Sequence, residues 1–553
     1  MRSPVPPNAV PPPRVAPSGS RPPSTATRHL CAGAYLDDGF RRACLNQVYH
    51  QRQRLVAPSY GFDLPLVLWH CLQARRLAVT RDAMVLGGLT IAVCMAPLGL
   101  GFIVAILIAL YLASSTWRIS RETAQELRRG RSASVGLIIG RTMLVALRLA
   151  GVLVLLSLAG FYTTVASVFV GGGGSSGSAA GVFTSLFGAL LFVFGPPLLA
   201  SLMRQSQIDQ FAPGRPARPP EPVPARLAEI RRLASGNTVV FAGYRPFVGS
   251  GSALRNWGFA QRLVRASGPL SGPVPEAERE FRDAPFTAAD LVAHLRADLT
   301  ALATEQEPER HLPGLTVTDR IFLAGTEVAH LEPHTPPERM DDIVRNPTAP
   351  ARHYLACQVV SWGGELVTTV YVHVAVQARS LYVEFISTAL PPCDERFRTV
   401  DQVDGTGPTA YLRAAVQGLL DTPGTIVRAP LELLQVAVDG LVHSSWWRPT
   451  GSPRPGYDYG AKVSVRELGT ASDNRNHIQA QEIDKYQRII ERRLLAAMLD
   501  FLESREVDTS EYRQRAMTLL NAGAVVSGGS LTVQGNVTST QTNIGQFGEG
   551  GHR

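Results

Sequence analysis

Lysine is nearly missing from this chain of 553 residues. Lys462 and Lys485 are the only two, so the formal charge of +9 rests almost wholly on arginine. That scarcity excludes a phosphate loop of the GxxxxGK[ST] kind, whose lysine must reach the β- and γ-phosphates. Nucleic-acid binding is not expected either, because it takes a basic face with interleaved aromatics. The arginines here gather beside apolar stretches instead. Cysteine is sparse: Cys31, Cys44, Cys71, Cys94, Cys357 and Cys393. No pair stands at CxxC spacing, so neither a zinc site nor a disulfide framework is indicated, and free thiols suit a reducing compartment. The first 24 residues are proline-rich rather than apolar, so no cleavable signal peptide is visible.

Acidic residues almost vanish between residues 83 and 203, and long apolar blocks take their place. Residues 83–117 carry no charge and exceed the ~20 residues that cross a hydrocarbon core. Pro97-Leu98-Gly99-Leu100-Gly101 puts turn chemistry in the middle. One kinked span and a hairpin of two short arms are both compatible with it. Arg75, Arg76 and Arg81 precede the block, and Arg118, Arg121, Arg128, Arg129 and Arg131 follow it. Arginine at both ends favours the hairpin, with both ends on the cytoplasmic side. In residues 135–170, Arg141 and Arg148 share a helical face and are expected to snorkel to the interface, with anionic lipid as the alternative partner. The uncharged run 171–180 crosses to the outside, and 181–203 returns, with Pro196-Pro197 near its end and Arg204 beyond it.

The remaining segments read as parts on the cytoplasmic side. Residues 1–30 form a disordered proline-rich arm. Residues 31–82 are helical, and 64–77 are expected to lie on the membrane surface as an amphipathic helix. Residues 204–225 make a Pro/Arg-rich linker, and 226–523 make an α+β domain. Its strongest signal is an antiparallel meander over 353–361, 365–376 and 380–387, with turns at Gly363-Gly364 and before Ser380. Strands are also expected at 237–243, 257–264, 316–324 and 457–468. Helices are expected at 287–303, 409–420, 426–443 and 476–505, with an Asp508/Glu511 capping box opening a last one. The fold class is therefore an α-helical membrane region of about three to four spans plus a cytoplasmic α+β domain with an antiparallel sheet.

Chemistry is thinly marked. Gly249, Ser250, Gly251 and Ser252 follow a strand and form the candidate ligand loop, although the third glycine of a phosphate cradle is missing. His330, Glu332 and His334 have metal-like side chains, but Pro333 breaks the helix that would align the rings, so no metal site is expected. No catalytic residue and no cofactor can be nominated. Trp446-Trp447 follows an apolar helix and allows it to dock back on the bilayer, core packing being the simpler expectation. The tail 524–553 is Gly/Ser/Thr-rich and uncharged until Glu549. Its residues Gly535, Asn536, Val537, Gln541, Ile544 and Gly545 resemble RHIM-like amyloid-signalling motifs, which implies stacking of identical tails.

VVFAGYRPFVGSG (239–251), SWGGELVTTVYVH (361–373) and the long charged helix from Asp484 to Ala516 resemble uncharacterised multi-pass membrane proteins of high-GC Gram-positive bacteria. The resemblance implies no activity and no site. The expected protein is thus an integral, multi-pass protein of the plasma membrane with both termini in the cytoplasm. Its partners are anionic headgroups and either a cytoplasmic protein or a second copy. Its soluble part is a non-enzymatic interaction, sensing or scaffolding module. A small-ligand or nucleotide-binding enzyme domain is the alternative. A transporter or channel subunit is a further one, and the scarcity of membrane-embedded ionisable residues argues against it.

Overall fold

A computed structural model describes residues 23–95, 103–116, 179–215, 223–267, 275–305, 311–327, 331–442, 454–470 and 476–521, with single residues in between. The central feature is a six-stranded mixed sheet. Its strands are β1 (Thr238–Phe241), β2 (Ser252–Arg262), β3 (Leu315–Ala324), β4 (Arg352–Ser361), β5 (Leu366–Gln377) and β6 (Ser380–Leu390). They stand in the order β1-β3-β4-β5-β6-β2. Only β1 and β3 run parallel; β3–β4, β4–β5, β5–β6 and β6–β2 are antiparallel.

Period-two alternation puts Val370, Val372 and Val374 of β5 on one face with Cys357 and Val359 of β4 and Val383 and Phe385 of β6. Two helices cover that face. One is Ala288–Thr304, which buries Leu291, Leu295 and Leu299. The other is His477–Ser504, which buries Ile490, Leu494, Met498 and Phe501. Each such fully buried side chain contributes about 1.5–3 kcal/mol. Both helices begin on capping boxes, Thr287 with Asp290 and Asn476 with Gln479. The Asp484–Arg488 pair on the second closes at 2.7 Å. The other sheet face carries Tyr371, Tyr354 and Phe322, and Phe247 stacks on Tyr371 with centroids 4.7 Å apart.

The helices, numbered with those two included, are α1 (Thr25–Leu36), α2 (Asp38–Cys44), α3 (Leu64–Met95), α4 (Ile103–Thr116), α5 (Ala179–Asp209), α6 (Ala225–Ala234), α7 (Glu276–Arg279), α8 (Ala288–Thr304), α9 (Pro337–Arg345), α10 (Pro408–Val442), α11 (Val465–Leu468), α12 (His477–Ser504) and α13 (Ser510–Asn521). Among the described residues, two helical stretches are long and apolar enough to cross a membrane: Leu64–Cys94 in α3 and Phe187–Asp209 in α5. Gly88 sits where a Cβ would lie 2.1 Å from the Phe192 carbonyl oxygen, so α3 and α5 meet backbone to backbone. The turn expected at 97–101 and most of block 135–170 lie outside the described residues. Arg148, expected to snorkel, donates to Ser115 Oγ at 3.0 Å.

Several expectations are corrected. Residues 64–77 do not lie on a surface: Leu64, Val67, Leu68, Cys71 and Ala74 are buried with α1, α6 and residues 393–400 in a second core. The Pro196-Pro197 pair lies inside α5, which continues to Asp209. Residues 409–420 and 426–443 form one helical element, α10, with Pro423 and Pro430 inside it. Residues 457–468 form no strand. Ala461 makes a single parallel bridge to Phe241, Gly460 presses against the Phe241 backbone, and Ser464 caps α11. Glu511 pairs with Arg515 rather than reaching back as a capping-box partner, and Asp508 alone accepts from the Ser510 N–H at 3.0 Å.

Candidate functional site

The loop Gly249–Ser252 is shaped by its glycines. Gly249 and Gly251 have φ of +92° and +84°, and a Cβ on Gly251 would stand 2.1 Å from the Ala389 carbonyl oxygen. Two backbone N–H groups consequently converge as they would on an anion. The anion is the chain's own. Glu467 Oε1 accepts from Gly249 N at 2.8 Å and from Gly251 N at 3.2 Å. The other oxygen of Glu467 accepts from Ser464 N and caps α11. Ser250 points inward, its Oγ 2.6 Å from the buried Tyr371 hydroxyl. Ser252 begins β2 on the exposed side. The structure thus turns the candidate phosphate cradle into an internal clamp, because its donors are already occupied by a carboxylate. Beside the clamp, Phe247, Ser252, Thr388, Leu390, Glu467 and Thr470 help to line an open cleft of about 670 Å³.

The densest polar constellation lies elsewhere. His29 of α1 places Nδ1 2.7 Å from Glu365 Oε1 and Nε2 2.7 Å from Asp401 Oδ2. Both ring nitrogens therefore face carboxylates. Glu365 Oε2 accepts from Cys393 N at 2.9 Å and from Arg398 Nη2 at 3.4 Å. Arg466, fully buried, donates from Nη2 to the carbonyls of Glu365 and Pro391, both at 2.8 Å. Arg28 completes the outer edge, donating to Asp401 Oδ1 and to the Phe211 carbonyl, each at 2.9 Å. Burial alone would push the Glu365 carboxyl up. The His29 ring, the Arg466 charge and the Cys393 N–H outweigh it and hold the carboxyl at about 2.

His29, Glu365 and Cys393 bring ligand atoms within 4.8 Å of one another, close enough for a metal ion. The donor set suits protons better. Burial raises the Cys393 thiol, with the Glu365 carboxylate adding to the effect, whereas a metal needs the thiolate. Neither His29 nitrogen is turned toward the sulfur as a spare acceptor, since each meets a carboxylate. The cluster is a tie between α1, the start of β5 and the turn at 393–401.

Sequence reasoning missed this cluster, because its members are separated by 336 residues between His29 and Glu365 and carry no local spacing. Its one legible hint is an acidic residue, Glu365, opening a strand that otherwise reads apolar. The self-association candidates Gly535, Asn536, Val537, Gln541, Ile544 and Gly545 lie outside the described residues, as does His330. His334 and Glu332 stand in an irregular stretch. His373 donates through Nδ1 to the His353 carbonyl at 2.8 Å.

Taken together, these features define a mixed α/β domain tied through buried charge to α1, which packs in one core with the start of α3 and the end of α5. A family model for the AbeC-like domain matches residues 256–535, half of the chain, and the protein belongs to that family. No curated protein and no solved structure matches it.

Proposed function

We propose that the chain is a multi-pass plasma-membrane protein whose cytoplasmic domain is a non-enzymatic interaction, sensing or scaffolding module, with both termini inside. The observation that supports this reading is the tie centred on His29. It joins α1, which shares a core with the start of α3, to the edge of β5, so displacement at the base of the apolar helices is carried into the sheet. The second core works in the same direction, since it buries residues of α1, α3, α5, α6 and α11 together. The arginines flanking the apolar blocks suit an inner leaflet rich in anionic lipid. The tail supplies a self-association surface in this reading.

The test uses the full chain. It should resist carbonate extraction from membranes and form assemblies that shrink when residues 524–553 are removed. Recovery in the soluble fraction, or a strict monomer with and without the tail, would overturn the reading.

The open cleft of about 670 Å³ beside Glu467 favours a second reading, a small-ligand domain. A nucleotide or metabolite that raises the melting temperature of the full chain, but not of the Thr388→Trp variant, would move the balance toward it.

A further inference from the structure

α10 has its side chains arranged the wrong way round for a helix in water. Its buried stripe is small: Ala410, Ala414, Gly418, Thr422 and Ala429. Its exposed stripe is bulky and apolar: Leu412, Val416, Val427, Leu431, Leu434, Val438 and Leu441. Val427 is 73 % exposed and Leu441 is 65 % exposed. From Val427 onward these residues recur at intervals of three and four, so they share one face. Small residues at the contact and large ones outside is the pattern of helices packed within lipid, where the hydrocarbon tails are as apolar as leucine.

The partners of α10 trace its path. Before it starts, the Gly405 carbonyl accepts from Gln205 and Gly407 N donates to Asp209, both at the C-terminal end of α5. Gly418 then packs so tightly that a Cβ would stand 2.3 Å from Ser201 Oγ and 3.1 Å from the Pro197 carbonyl oxygen. Ile426 reaches the small core of Ala92, Ile103, Ala189 and Val193. Beyond it the contacts come back: Glu432 pairs with Arg42 at 3.5 Å and Asp439 with Arg75 at 3.7 Å. That order belongs to an element running out along α5 and returning along α3, and Pro423 with Gly424 stands where it turns.

We propose that α10 is a bent helical wedge, contributed by the AbeC-like domain itself, whose bulky face is covered by lipid hydrocarbon. The proposal rests on reading α3 and α5 as membrane helices. Leu89, which packs on the same small core as Ile426, lies eight residues past Arg81. That is about 12 Å along a helix, against a hydrocarbon core of about 30 Å. The wedge therefore enters one leaflet. Of its charges, Glu432 and Asp439 are paired at the base, Asp421 lies within electrostatic reach of Arg204, and the exposed Arg413 and Arg428 have stems long enough to snorkel to the headgroups. In the sequence, Trp446-Trp447 stand four residues past the end of α10, and tryptophan is a residue type enriched at membrane interfaces.

The test reconstitutes the full chain, with Cys94→Ser as background, in vesicles of phosphatidylcholine and phosphatidylglycerol. Single cysteines carry a nitroxide at Leu191 on α5, at Val427 and Leu434 on α10, and at Met517 on α13, with Leu441 as a further site should Val427→Cys fold poorly. Oxygen and a water-soluble nickel chelate then report accessibility. Positions 427 and 434 should follow position 191, with strong oxygen relaxation and at least fivefold weaker chelate relaxation, while position 517 should show the reverse. If 191 reads as lipid and 427 and 434 read as water, the wedge is wrong and the membrane reading survives. If 427 and 434 exclude both reagents and show intermolecular broadening, a second copy covers the face and the proposal fails. If 191 itself reads as water, the membrane reading falls and takes the wedge with it.

Discussion

His29 and Glu365, 336 residues apart in sequence, meet at 2.7 Å in the interior, 2 % and 5 % exposed. The contact joins a helix ahead of the first apolar block to a central strand of the sheet. Its energetics follow from burial. A desolvated carboxylate is stabilising only while its partners are present, and removing one of them leaves an uncompensated charge.

His29→Leu removes the ring shared by Glu365 and Asp401. The expected loss is about 3 kcal/mol, because the Glu365 carboxylate stays buried with an oxygen unmatched. Asp401→Asn should cost much less, since Asp401 is exposed to solvent and still receives Arg28. Melting of the purified full chain in detergent separates the two. Equal losses would mean that the ring acts by packing alone.

The same carboxylate makes stability depend on pH. Glu365 titrates at about 2 in the folded chain, below its ordinary value of about 4.5. The contribution is therefore fully present above about pH 4.5 and is lost as pH falls from there through about 2. The difference corresponds to about 3 kcal/mol at neutral pH. Stability against denaturant should fall off more steeply from pH 5 to pH 3 in the wild type than in Glu365→Gln, which lacks the titrating group. Parallel curves would show that Glu365 is not held down.

The sheet was legible because its signal is local. Val370, Val372 and Val374 alternate with Thr369, Tyr371 and His373, and this pattern shows which face of β5 takes the helices, although Tyr371 on the other face is buried as well. Thr287 with Asp290 marked the start of α8 for the same reason. The polar ties were not legible, because they depend on which distant residues the topology brings together. Glu467 in the loop of Gly249 is one such case, since glycines in sequence show that donors converge but not that a carboxylate 218 residues away already fills them. The course of α10 failed differently. Pro423-Gly424 reads as a break between two helices, and the chain does turn there, yet it stays helical through the turn, with close packing at Gly418 and Ile426 holding both flanks.

Glu467→Ala frees the N–H groups of Gly249 and Gly251 and leaves them without an acceptor. The expected cost is about 1–3 kcal/mol, the usual penalty for stranded backbone donors. The vacated loop then becomes an anion site. Millimolar inorganic phosphate should raise the melting temperature of Glu467→Ala and leave the wild type unchanged. A wild-type response of the same size would mean that the carboxylate does not occupy the cradle.

Adjacent glycines in α3 separate packing from helix propensity. A Cβ on Gly88 would sit 2.1 Å from the Phe192 carbonyl oxygen and 3.0 Å from its carbon, both backbone atoms that cannot turn aside. A Cβ on Gly87 meets nothing within 4 Å. Replacing a mid-helix glycine by alanine gains about 1 kcal/mol where space allows. Gly87→Ala should therefore hold or raise the melting temperature. Gly88→Ala should lower stability by about 2 kcal/mol or more, because α3 and α5 must separate to admit the methyl group. The opposite signs at neighbouring positions isolate the close approach, since both substitutions change intrinsic propensity equally. A matching gain at both positions, measured by detergent melting of the full chain, would show that the two helices do not touch there.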